Sequence, residues 1–296
     1  MRQFKIFTDS TSDVEKTYRE EFGFDYLRMV FTQGGKDYAA DLDWGEISAH
    51  DFYEAMRKGN RSITGLINTE ECENKFRSCL SDGYDVLYVA CSSKLSNSVN
   101  TAKIIADDLL KEYPDRKIYC MDSLRSNYAE GMIAMAAARL ADEGKTLDEA
   151  AAVLEEEKLK YQDFGTVDTL EYLKKAGRVK ASAAFFGNLF GVKPIILGDA
   201  KGNNYAYKKV RGRRVSLDEL AAVVADRIED GENATVFIEH ADCLEDAEYV
   251  AESIKGRVHV GKINISYMGP IIGSSIGPGA ITVNFYGKKV TIYGEE

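Results

Sequence analysis

Side chains that could do chemistry are concentrated in four segments: Asp9-Ser10-Thr11-Ser12, Ser62-Ile63-Thr64-Gly65, Ser92-Ser93-Lys94-Leu95-Ser96 and Gly273-Ser274-Ser275-Ile276-Gly277-Pro278-Gly279. All are rich in hydroxyls and read as polar turns. Hydroxyls together with free N–H groups at helix starts suit a small anion such as a carboxylate. Each Ser or Thr can equally serve as the cap of its own helix, so the number of such turns carries the functional reading. Covalent catalysis finds little support, because no GxSxG elbow is present and His50, His240 and His259 are far apart in sequence. The same scatter, with no CxxC pair, leaves no readable metal site, and no cofactor is expected. The Gly269, Gly273, Gly277 spacing lacks both the GKS or GKT ending of a P-loop and the GxGxxG order of a dinucleotide fold.

Two further stretches could serve a ligand or a partner. Residues 181–190, Ala-Ser-Ala-Ala-Phe-Phe-Gly-Asn-Leu-Phe, are apolar on nearly every side. They form either a buried helix or one that lines an apolar cavity, with Phe185, Phe186 and Leu189 as the candidate lining. Cations gather at Lys174, Lys175, Arg178 and Lys180, and again at Lys208 to Arg214, against an acidic background. Such a run is either a solvated surface or a docking patch for an acidic partner or a phosphate, for which Arg178, Arg211 and Arg213 are the candidates.

The turns must be held by an alternation of strands and helices. Phe4 to Thr8, Val86 to Cys91 and Lys117 to Met121 read as buried strands, each followed by a polar turn and a helix. That grammar predicts a mostly parallel sheet covered by helices, where ligands bind outside the carboxyl ends of the strands. Capping boxes are expected at Ser12 with Glu15, Thr146 with Glu149 and Ser216 with Glu219. A domain boundary near Gln162 divides the chain into residues 1–161 and 162–296, both α/β. In the second part strands are expected at Phe164 to Val167, Pro194 to Leu197, Tyr205 to Val210, Thr235 to Glu239 and around Val258 to Ile265, with a β-rich tail from Ile281 to Tyr293.

Composition agrees. A chain of 296 residues that is 45% apolar can bury two ordinary cores, and its net charge of −10 argues against general nucleic-acid binding. The longest apolar run, Met132 to Ala138, is too short for a bilayer helix, and no signal peptide or membrane insertion is expected. Five cysteines in apolar stretches fit a reducing cytoplasm.

Five motifs in order then resemble the DegV family: Phe7-Thr8-Asp9-Ser10-Thr11-Ser12-Asp13, Ser92 to Ser96, Thr169 to Arg178, Lys209-Val210-Arg211-Gly212-Arg213 and Gly277-Pro278-Gly279-Ala280. The resemblance implies two α/β domains with an acyl chain buried between or beneath them, its carboxylate held by a Thr and a Ser. Those roles carry to Thr64 and Ser96, with Ser275, Ser10, Ser93, Gly65, Asn97 and Gly277 as further candidate ligand contacts. It also implies a fatty-acid-binding protein without catalysis of its own, with a fatty-acid kinase subunit as a candidate partner that would supply ATP. Three positions depart from the family pattern: Gly65-Leu66-Ile67 stands for Ser-Gln-Pro, Asn97 for Gly, and Ser275 where many members carry a His. Two alternatives stand beside this expectation: an enzyme acting on a small carboxylate or acyl ester through the Ser-rich turns, and a binding module for another amphipathic lipid.

Overall fold

The computed structural model describes residues 2–180 and 191–294. The candidate lining residues Phe185, Phe186 and Leu189 lie outside the described residues. Strand β1 (Phe4–Asp9) is buried at every position but Lys5, and leads through a buried polar segment to α1 (Lys16–Phe22) and β2 (Asp25–Leu27). Next, β3 (Met29–Gln33) and β4 (Lys36–Ala39) form a hairpin across Gly34 and Gly35, whose φ values of 60° and 79° give the left-handed turn that joins two tightly paired strands. Helix α2 (Ala49–Arg57), capped by Ser48, is followed by β5 (Ser62–Ile67), α3 (Thr69–Ser81), β6 (Asp85–Ala90), α4 (Ser98–Glu112) and β7 (Ile118–Asp122). Helices α5 (Asn127–Asp142) and α6 (Leu147–Glu157) then lead to β8 (Tyr161–Thr166), α7 (Glu171–Ala176), β9 (Val192–Gly198) and β10 (Asn204–Arg211). The chain continues with α8 (Arg213–Arg227), β11 (Thr235–His240), α9 (Leu244–Lys255), β12 (Lys262–Tyr267), α10 (Pro270–Ile276) and β13 (Ile281–Tyr286).

These strands form three sheets. The expected parallel sheet is present, in the order β2-β1-β6-β7. A six-stranded sheet, β10-β9-β8-β13-β11-β12, is antiparallel except for its β11–β12 pair. A small antiparallel sheet, β4-β3-β5, packs against α10. The chain passes from the parallel sheet to the six-stranded one through α5 and α6. Helix α5 packs on β1 and β6 of the first and on β8 and β13 of the second. Its small residues permit that position: Ala129, Ala134, Ala137 and Ala138 are wholly buried, and a Cβ at Gly131 would stand 2.1 Å from Val14 Cγ2. Tyr128 closes the contact by stacking on Phe237 of β11 with ring centroids 4.0 Å apart.

Several local expectations are corrected. The capping box at Thr146 and Glu149 forms, but those at Ser12 and Ser216 do not. Ser12 instead donates to the Asp9 carbonyl within its own turn, while Glu15 accepts from Tyr128 Oη and Asn264 Nδ2, so a local carbonyl takes the one side chain and tertiary partners the other. Helix α8 already starts at Arg213, and Ser216 donates to the Arg213 carbonyl from inside it. The segment Ser62–Gly65 is strand β5 and not a turn, and Gly273–Ile276 is helical. The last helix-flanked strand of the second part begins at Lys262 rather than Val258, and the tail is strand only as far as Tyr286.

Candidate ligand site

A cavity opens where the carboxyl ends of β1, β6 and β7 meet the inner face of β8, β9 and β13, with β5 and α10 along one side. Its volume of about 170 Å³ is more than ten times the probe space of one water, too large for a packing defect.

The lining is graded. At its partly exposed rim stand Thr64 and Gly65 of β5, Ser96 before α4, Ser275 of α10 and the exposed Arg178. Ser96 Oγ lies 2.9 Å from Ser98 Oγ and accepts from the Ser98 N–H, while Ser275 Oγ is 3.4 Å from the Ile271 carbonyl one turn earlier. Arg178 donates from Nε to the Leu95 carbonyl, which ties the end of α7 to the turn that carries Ser96. Gly65 lets β5 approach β3, because a Cβ there would meet Val30 Cγ2 at 2.5 Å. The pairing slips at that point, between Met29 and Phe31. Inward from the rim the walls are apolar: Met29, Val167, Leu173, Ile196, Ile271 and Ile276 are all buried.

The enclosed end is polar again. Thr11, Ser126, Asn127, Asp163 and Thr282 line it, each no more than 8% exposed. Asp163 accepts from the N–H groups of Gly198, at 2.7 Å, and Ser126, and faces the charge of Arg125. Burial outweighs these, so its carboxyl is pushed up from the ordinary 3.8 to about 6. Arg125, 1% exposed, donates to the carbonyls of Tyr161, Leu124, Gly198 and Asp199, while its Nη2 has no partner. Behind Thr11 lies a second acidic group: Thr11 Oγ1 contacts Asp9 at 2.6 Å and Glu130 at 2.5 Å, and burial and Asp9 push Glu130 well up. Thr282 Oγ1 donates to Glu239, which burial also pushes up beside Asp13.

The structure thus brings Thr64, Gly65, Ser96, Ser275 and Arg178 to one cavity, and places the other expected contacts elsewhere. Ser10 is buried outside it, donating to the Ala40 carbonyl at 2.6 Å and accepting from the Met29 N–H, so it joins the edge of the parallel sheet to the small one. Ser93 and Asn97 are not in the lining: the Ser93 N–H meets Asp122, and the exposed Asn97 accepts from Asn100 at the start of α4. Gly277, at φ 83°, lies against the Tyr172 ring, where a Cβ would come within 2.2 Å. Arg211 is exposed, whereas Arg213 pairs with Asp246 and donates to the Gly279 carbonyl, so it holds α8 to α9 and to the loop after α10. Sequence reasoning did not find Asp163, Asn127, Ser126 and Thr282 as lining residues. The rule that strand ends carry ligands pointed only to the turns.

Three sheets enclosing one internal cavity, with hydroxyls at the rim and apolar walls behind, define an α/β protein built to hold an elongated amphipathic molecule. The chain belongs to the DegV family: the sequence profile described as "Uncharacterised protein, DegV family" matches residues 3–288. It is 34% identical to the DegV domain-containing protein CPE0026 of Clostridium perfringens over 97% of this chain and 98% of that protein. Among solved structures it is similar to a DegV family protein from Thermus thermophilus described by its fatty acid binding, at 25% identity and a TM-score of 0.85, covering 97% of this chain and 100% of that one. It is similar to the same degree of identity to DegV of Bacillus subtilis, described as a fatty acid binding protein, with a TM-score of 0.82 and 97% and 100% coverage.

Proposed function

We propose that the protein binds a fatty acid, with the carboxylate at the rim among Thr64, Ser96 and Ser275 and the acyl chain along the buried apolar walls. The observation that carries this reading is the grading of one cavity from half-exposed hydroxyls to buried aliphatic side chains. Each methylene taken out of water contributes ~0.8 kcal/mol, so the chain supplies most of the affinity and the hydroxyls chiefly set orientation. The likeness to fatty-acid-binding relatives supports the same assignment. Ser275 offers a short hydroxyl where many family members have an imidazole, so the anchor relies on Thr64, Ser96 and the nearby charge of Arg178.

The reading gives the chain no bond-breaking role of its own. Ser96 and Ser275 contact another hydroxyl and a carbonyl, neither of which raises nucleophilicity. A partner kinase that acts on the exposed carboxylate would bring its own nucleotide and metal, and Arg178 and Arg211 are among the exposed cations that would meet it. Native mass spectrometry of the protein as purified from cells tests the assignment: a retained fatty acid supports it, and retention of a different lipid class, or of none after incubation with fatty acids, overturns it.

A further inference from the structure

The enclosed end of the cavity is unlike the terminus of a slot for a plain hydrocarbon. A methyl end is best met by aliphatic side chains, because a polar wall that loses water to a methyl group forfeits hydrogen bonds. Here the wall is set by strand register. Residues 163–167, from β8 into the residue that follows it, all line the cavity, with the buried carboxyl of Asp163 at one end of this run and the apolar Val167, four residues on and roughly 13 Å away along extended chain, at the other. Across the sheet Gly165 pairs with Ile196 on one side and Thr282 on the other. Polar Thr282 and apolar Ile196 thus flank Gly165 at one level, and Asp163 lies two residues further toward the enclosed end.

Most hydroxyls at this end are committed. Thr11 and Thr282 donate to Glu130 and Glu239, and Ser126 donates to the Asn127 side-chain carbonyl at 3.2 Å. Two groups are not. The Asn127 amide nitrogen has no acceptor among the described residues, although the residue is 8% exposed and lines the cavity. Asp163 Oδ1 takes the Gly198 N–H, and the carboxyl retains lone pairs toward the cavity it lines. Helix α5 packs on β8, and Asn127 and Asp163 line the same enclosed end of the cavity, so free donor and free acceptor open onto one space. Asn127 is moreover held at φ 56°, a left-handed conformation that Asn tolerates better than most residues, and it is the first residue of α5.

Resting on the fatty-acid reading, we propose that this cavity selects acyl chains that carry a hydroxyl far from the carboxylate, the hydroxyl accepting from Asn127 Nδ2 and donating to Asp163. A hydroxyl supplies one donor and up to two acceptors, which matches this pair. A second carboxylate would instead face the Asp163 carboxyl with Asn127 as the one uncommitted side-chain donor among Thr11, Ser126, Asn127, Asp163 and Thr282, since the unpartnered Arg125 Nη2 is not part of the lining.

Calorimetric titration of the purified, delipidated protein tests this with a saturated fatty acid and its hydroxylated counterparts of the same length, the hydroxyl moved from next to the carboxyl group to the terminal carbon. We expect one distally hydroxylated acid to bind at least tenfold more tightly than the unsubstituted acid, and Asn127→Gly, which keeps the left-handed backbone accessible, to bring the ratio of the two affinities below threefold. Asp163→Asn, which retains an acceptor but loses the carboxylate, should reduce the preference less than Asn127→Gly does. Equal or weaker binding of every hydroxylated acid overturns the proposal and leaves the fatty-acid reading intact; failure of all acids to bind overturns the reading on which it rests. A preference that survives in Asn127→Gly with Asp163→Asn combined overturns the assignment to these residues.

Discussion

The two ends of the cavity are both polar but are built on opposite principles. At the rim, Thr64, Ser96 and Ser275 are neutral, half-exposed groups whose hydrogen bonds water can replace. At and behind the enclosed end, Arg125, Asp163, Glu130 and Glu239 are ionisable groups at 0 to 5% exposure, the first two held by backbone carbonyls and amides and the glutamates chiefly by the side chains of Thr8, Thr11, Thr282 and Asn284. The rim hydroxyls can therefore change at small cost to the fold, and Ser275, one of the departures that the resemblance marks, stands among them. Enclosed groups cannot be altered without leaving a charge or a carbonyl unpaired.

The sharpest way to break this comparison is Arg125→Met. It strips four carbonyls of their donor and leaves Asp163 without its cation, so chemical denaturation should show a loss of ~3–5 kcal/mol. A loss below one kcal/mol, the ordinary scale of an exposed substitution, would show that the enclosed network is no more demanding than the rim.

Asp163→Asn sharpens it through pH. Because the folded-state value is raised to about 6 from 3.8, Asp163 favours folding fully below its unfolded value, and that contribution is lost as pH rises through about 6. Relative to the parent, Asp163→Asn should gain stability between those values, by about 3 kcal/mol at most, with no such trend at lower pH. A flat difference across this window in thermal melts would mean that the carboxyl titrates as an exposed one does.

At the rim, Thr64→Ala and Ser96→Ala should each weaken fatty-acid binding by ~1.5–3 kcal/mol, since each removes a hydrogen bond to a charged group. Thr64→Ala should leave stability within ~0.5 kcal/mol; Ser96→Ala should cost somewhat more, because Ser96 also accepts from the Ser98 N–H. Unchanged affinity in both would place the carboxylate elsewhere. The smallest effect is expected at Arg211→Glu, within ~0.5 kcal/mol of the parent in stability, whereas Arg213→Glu should cost more because Arg213 holds Asp246 and Gly279. Equal stability of the two would dissolve the distinction between an exposed cation and a tethered one.

The same contrast governs what could be read from sequence. The parallel sheet was legible because each of its long strands is apolar and followed directly by turn and helix, a pattern local to some twenty residues. The small antiparallel sheet was not, although Gly34-Gly35 between Met29–Gln33 and Lys36–Ala39 was a usable hairpin signal. Within β5, Gly65 reads as a breaker in sequence and is a point of close strand approach in the fold. Thr64, Ser96 and Ser275 came from motif and resemblance. Asn127 and Asp163 could not, since the one sits at a helix start and the other inside a strand, and only the packing of α5 on β8 brings both to the same end of the cavity.

Strand β13 pairs with both β8 and β11 and stands in the middle of the six-stranded sheet, although it is the last strand in chain order among the described residues. A ribosome delivers β8, β9 and β10, and later β11 and β12, as two separate ribbons whose inner edges have nothing to pair with until β13 emerges. Assembly of this half is therefore a closing step that waits on the emergence of β13, and a nascent chain arrested before Ile281 holds two open edges together with the uncovered face of α5. Quality control in the cell would meet such a chain as an aggregation-prone intermediate, however complete its parallel sheet.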